Sequence, residues 1–205
     1  MIVFIILLVI KFFDMDFFFI RDFKHKYIFF TSDPIHPIEK EFSRLKKIWE
    51  EARQKLMLLP KKTLAQEQAF EKASKQNQEI NILHAGCLDE KKIKKRFYYF
   101  LQKQRTKHIS LLIGETLLLP ISGLMALLPG PNVFFGVLAL IMYTHWQSLR
   151  GINKILKLGY VFSPALYFSE WEKAIYSEID VNLDNTLEKI KEEYNIKNIK
   201  KILWQ

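Results

Sequence analysis

Two long apolar runs, Ile109–Leu128 and Val133–Leu149, dominate the hydrophobic pattern, and Pro129-Gly130-Pro131-Asn132 separates them. The first run has 20 residues and one charge, Glu115; the second has 17 residues. A bilayer core is about 30 Å thick and a helix rises about 1.5 Å per residue, so about 20 apolar residues span it. Globular core helices keep a polar face, whereas Leu117–Leu119 and Leu124–Leu128 show almost none. The pattern predicts a membrane helical hairpin, 109–128 and 133–149. Pro129 and Pro131 stop a smooth helix, Gly130 permits a tight turn, and Asn132 suits the N-cap of the second arm. A full crossing and a re-entrant turn both fit.

The remaining pattern is amphipathic. Phe17–Ile20 and Tyr27–Phe30 are aromatic or β-branched runs around a polar Arg21–Lys26, which reads as a short β-hairpin. Ile38, Phe42, Leu45, Trp49, Ala52, Leu56 and Leu59 alternate spacings of four and three, one stripe of a helix over about Pro37–Leu59. A weaker stripe, Leu64, Phe70, Ala73 and Ile80, suggests a helix within Lys61–Leu83, with a break at Ala85-Gly86. Leu88–His108 resumes as helix near Asp89, with Ile93, Phe97 and Leu101 on its apolar side, and runs on into the first membrane arm. Arg150-Gly151 opens the exit from the hairpin, and Gly159–Pro164 reads as a loop. Ala165–Ile179 and Leu183–Leu203 read as two helices. The expected class is an all-α membrane protein with one transmembrane hairpin and amphipathic soluble helices, compatible with a short N-terminal β-hairpin. Its segments are 1–34, apolar and β-like; 35–108, soluble and helical; 109–149, the membrane hairpin; and 150–205, C-terminal helices.

Charge orients this arrangement. Lys91–His108 holds eight Lys or Arg residues and no acid, and Arg150, Lys154 and Lys157 follow the second arm. Basic flanks stay on the cytoplasmic or matrix side, so both termini are expected there. The net charge of +9 suits an anionic surface. Lys94, Lys95, Arg96, Lys103, Arg105, Lys107 and Arg150 crowd the membrane flank, which makes lipid headgroups the expected partner. Nucleic acid is not expected, because the aromatics of Phe97–Phe100 lead straight into the apolar run, as an interfacial belt does. A stripe such as that of Pro37–Leu59 needs a cover, so a protein partner or a second copy is also expected.

The N-terminal Met1–Ile10 is apolar but lacks a basic leader and a small-residue cleavage site. Translation from Met1 and from Met15 both fit. Cys87 is the single cysteine, so no intrachain disulfide forms, and His84 beside it is no metal site. Neither a metal nor a cofactor is expected.

Glu115 is the candidate for chemistry, because charges at membrane depth are costly and often functional. It stands 15 residues before Gly130, and His145 stands 15 after it. In an antiparallel hairpin the two lie level. They could relay a proton, or they could simply pin the arms together with a hydrogen bond. Pro120 frees the carbonyl of Thr116 and favours a kink. The chain has no Walker motif, no GxGxxG, no HExxH and no Ser-His-Asp set, so it is not expected to be an enzyme.

The hairpin resembles the mitochondrial potassium–proton exchange-related family. The resemblance rests on Leu117–Pro120 (LLLP), Leu127–Phe135 (LLPGPNVFF) and Tyr143–Gly151 (YTHWQSLRG). Ser163-Pro164-Ala165-Leu166, ahead of an acidic and aromatic helix, resembles the family's downstream segment. It implies an integral protein of the mitochondrial inner membrane, or of a bacterial inner membrane, taking part in potassium–proton exchange as component or regulator. A membrane-anchored scaffold or assembly factor working through its amphipathic helices is the alternative.

Overall fold

The computed structural model describes residues 16–32, 60–124, 133–176 and 183–204. Met1–Ile10, Met15, the predicted helix Pro37–Leu59 and the corner Pro129–Asn132 lie outside them. The described chain runs β1 (Phe17–Arg21), β2 (Tyr27–Thr31), α1 (Lys61–Ala73), β3 (Ile80–His84), α2 (Glu90–Leu124), α3 (Val133–Leu158), β4 (Tyr160–Pro164), α4 (Leu166–Tyr176), α5 (Leu183–Glu193) and α6 (Ile199–Leu203).

The four strands form one mixed sheet in the order β2-β1-β3-β4. β1 pairs antiparallel with β2, Phe17 opposite Thr31 and Arg21 opposite Tyr27. β3 runs parallel to β1 and to β4, with Phe17 beside Ile82 and Ile80 beside Tyr160. Successive side chains of a strand point to opposite faces. Phe17, Phe19 and Phe29 therefore pack with Phe70 of α1, Phe97 and Leu101 of α2 and Ile152 and Ile155 of α3. Phe18, Ile20, Ile28 and Phe30 meet Phe168 and Trp171 of α4, Leu187 and Ile190 of α5 and Leu203 of α6 on the other face. A strand covered on both faces needs an unbroken apolar run, and FFFI and YIFF supply it.

This architecture corrects the all-α membrane class: the protein is mixed α/β, a sheet between two helical layers. No helix among the described residues is long and apolar enough to cross a membrane. The described part of the first apolar run, 109–124, belongs to one helix of 35 residues whose other half is charged. In the second run Thr144 and Ser148 are buried, and α3 continues to Leu158 to pack Ile152 and Ile155 on the sheet. The two arms are the crossover from β3 to its parallel neighbour β4.

Other elements also depart from the sequence reading. Ile80–His84 is a strand, not a helix end, because its pattern INILH alternates buried and more open positions. Gly159–Pro164 is not a loop: α3 ends at Leu158, Gly159 takes φ +87° as helix C-caps do, and β4 follows at once. Asn195, at φ 50°, divides the last predicted helix into α5 and α6. Gly151 is no exit; it lies inside α3.

Candidate functional site

The site lies where α1, α2 and α3 converge beside the sheet. On α1, Leu64, Glu67 and Phe70 follow at intervals of three and all are buried. On α2 the buried stripe of Ile93, Phe97 and Leu101 continues to His108 and Glu115. On α3 the facing stripe is Thr144, Ser148 and Gly151–Ile152. Residues three and four apart share a helix face, so one polar position from each helix falls at one level.

Gly151 sets the distance between α1 and α3. A Cβ there would stand 1.8 Å from the Phe70 carbonyl oxygen, so only glycine permits this approach. One turn away on each helix, the Ser148 hydroxyl donates to Glu67 Oε2. Glu67 Oε1 lies 3.7 Å from His108 Nε2, too far for a hydrogen bond. The His108 and His145 rings are 5.4 Å apart, and His145 Nδ1 lies 2.6 Å from Glu115 Oε1. Metal-binding atoms of Glu67, His108 and His145 all lie within 4.8 Å of one another.

The electrostatics are unusual for a core. His108 is fully buried, and burial, with His145 and Lys107 acting in the same direction, lowers its pKa to about 3. Its imidazole is therefore neutral near pH 7. Both His108 ring nitrogens and Glu115 Oε2 are buried without a hydrogen-bond partner. A buried polar atom without a partner costs about 1–3 kcal/mol, so this concentration on facing helices makes the cluster the candidate site.

The structure thus brings Glu115 and His145 into contact. The remaining residues singled out in the sequence are dispersed. Lys94 pairs with Glu90 at 2.7 Å. Arg96 donates to the Tyr27 hydroxyl at 3.2 Å, and Arg150 sits 4.9 Å over the Trp146 ring. Lys95, Lys103, Arg105 and Lys107 are exposed along α2. Cys87 is exposed just before α2 and lines a cleft with His84, Ile93 and Glu172, at the far end of α2 from His108. His84 is buried on β3, where its Nδ1 accepts from the Gly86 N–H at 3.1 Å.

Sequence reasoning missed Glu67 and His108. Glu67 sits on a mostly polar helix and His108 ends a basic run, so both resemble solvent-facing residues. Each nonetheless falls on the apolar stripe of its helix, and a polar residue on such a stripe was the available signal.

Beyond the site the arms turn their apolar side chains outward. Ile109, Leu111, Ile113, Leu117, Leu118 and Ile121 of α2 and Phe135 of α3 are exposed. Among the described residues of α2 after His108, only Glu115 is buried.

Fold and site define a class: an α/β body whose helical-hairpin crossover holds a buried carboxylate–imidazole cluster. The model of the mitochondrial K+-H+ exchange-related family matches residues 21–159, more than half of the 205, and the chain belongs to that family. No curated protein and no solved structure gives a significant match.

Proposed function

We propose that this protein is a non-enzymatic component or regulator of potassium–proton exchange, acting at the mitochondrial inner membrane. Family membership over residues 21–159 carries the reading; that span includes both arms and all of Glu67, His108, Glu115 and His145. Two helices cannot enclose a path for ions, so the chain works with further copies or with a partner. Membrane lipid is the second contact. Large exposed apolar patches mark interaction surfaces, and the outward face of α2 continues into exposed Lys103, Arg105 and Lys107. That order, apolar segment and basic collar, suits the matrix-side surface of an anionic membrane rather than nucleic acid.

The test is ion flux in two preparations. Mitochondria from cells lacking the protein should show slowed potassium-dependent swelling and slowed matrix pH recovery, restored by re-expression. Proteoliposomes holding only the purified chain should show no exchange. Flux from the chain alone would make it an exchanger in its own right. Normal exchange in the deletion would overturn the proposal and favour a scaffold.

A further inference from the structure

We propose that Glu67, His108 and His145 form a binding site for one divalent transition-metal ion of the zinc class, held between α1, α2 and α3. The inference does not rest on any role in ion exchange.

Three observations carry it. The donor atoms of these residues already lie within 4.8 Å of one another. Ligands bound to one zinc ion at about 2.0–2.2 Å stand about 3.3–3.6 Å apart in a tetrahedron, so small side-chain rotations close the site. Next, His108 is fully buried with no hydrogen-bond partner on either ring nitrogen. A metal bond gives one of those nitrogens the partner the protein does not supply. Last, the surroundings of the other two ligands are those of metal centres. Ser148 holds Glu67 Oε2, leaving Oε1 on the side of His108. Glu115 Oε1 lies 2.6 Å from His145 Nδ1. A carboxylate only accepts, so Nδ1 is the donor to Glu115 and Nε2 is the nitrogen left to face a metal. Carboxylate–histidine–metal relays fix the ligand tautomer in this way.

The chemistry selects the ion. Two imidazoles and one carboxylate suit zinc and its first-row neighbours, whereas magnesium and calcium take oxygen ligands. Three protein ligands leave a coordination position for water or an exogenous group. Glu115 is a positioning residue here, acting through His145.

The full-length protein, stripped of metal, is titrated with Zn2+ against a chromophoric chelator and with Co2+ by visible absorption. One ion should bind per chain, and Co2+ should give the bands of a low-coordinate site. His108→Asn and His145→Asn should each weaken binding at least tenfold, and Glu115→Gln by about ten- to a hundredfold. Cys87→Ser, remote from the cluster, should leave affinity unchanged. X-ray absorption of the zinc-loaded wild type should count two imidazole ligands, a readout that needs no variant to fold. No one-to-one binding, fewer than two imidazoles, or affinity lost in Cys87→Ser but kept in His108→Asn would each overturn the assignment.

Discussion

Gly151 of α3 and Phe70 of α1 meet backbone to backbone: a Cβ on Gly151 would fall 1.8 Å from the Phe70 carbonyl oxygen and 2.5 Å from its carbon. Phe70 itself is fully buried against Phe29 and the sheet, so α1 cannot withdraw without opening that core. The contact also holds Glu67 against Ser148 one turn away.

Gly151→Ala should therefore destabilise the protein by about 3 kcal/mol, at the upper end of overpacking costs because backbone must move. Gly136→Ala is the internal control. It lies in the same helix with nothing within 4 Å of an added Cβ, and alanine gains up to about 1 kcal/mol over glycine there. Urea unfolding of both variants checks the opposite signs. Equal effects would mean that the α1–α3 approach is not tight.

Acid sensitivity follows from His84. Burial pulls its pKa below 6.5, and Glu90 offsets this only in part. The unfolded chain takes up a proton near pH 6.5 that the folded chain refuses, so stability falls as pH drops below about 6.5 and levels off below the folded-state pKa. Burial pushes Glu172 the other way, upward, so its contribution rises as pH falls through that raised value toward 4.5. His108 acts in the same direction as His84. The melting temperature should thus decline from pH 7 to 5, and His84→Asn, which keeps an acceptor for the Gly86 N–H, should decline less steeply. Parallel slopes would remove His84 from the account.

The legible parts of this fold were those written in local pattern. Phe17–Ile20 and Tyr27–Phe30 announced a hairpin because both faces of β1 and β2 are buried. Equal counts from the corner set Glu115 level with His145, and the two are in contact. The parallel strands were not legible. Each has five residues and finds its partner far along the chain. Ile80 also fits a helical spacing from Ala73, and Pro164 reads as a loop residue although it ends β4 beside His84. The membrane hairpin was overread because an apolar count ignores where polar residues go: Thr144 and Ser148 turn into the α/β body, and Glu67 waits there on another helix.

The outward apolar face of α2 should bind anionic vesicles. Transferring one Leu or Ile side chain out of water is worth about 1.5–3 kcal/mol, so each side chain that enters the headgroup boundary contributes tenfold or more to partitioning. Replacing Ile113, Leu117 and Ile121 with Ser should abolish cosedimentation with such vesicles without lowering the melting temperature, because all three are exposed. High salt should weaken wild-type binding through Lys103, Arg105 and Lys107. Binding that survives the triple variant would locate the lipid contact elsewhere.

Glu115→Gln separates the two roles open to the level pair. The amide oxygen can still accept from His145 Nδ1, so a pin survives while a carboxylate that exchanges protons does not. Pinning is the expected outcome: the melting temperature stays within a few degrees of wild type, and potassium–proton exchange is retained in mitochondria re-expressing the variant. Glu115→Leu, which removes the acceptor and leaves the nearly buried imidazole nitrogen without it, should cost about 1–3 kcal/mol. The order of the two variants matters more than either value, since a simple loss of packing would affect both. If exchange is lost in Glu115→Gln at normal protein level and unchanged stability, the hydrogen bond alone is not what the pair provides, and the carboxylate of Glu115 is itself required; a proton relay between the arms is then assigned if metal affinity is also unchanged.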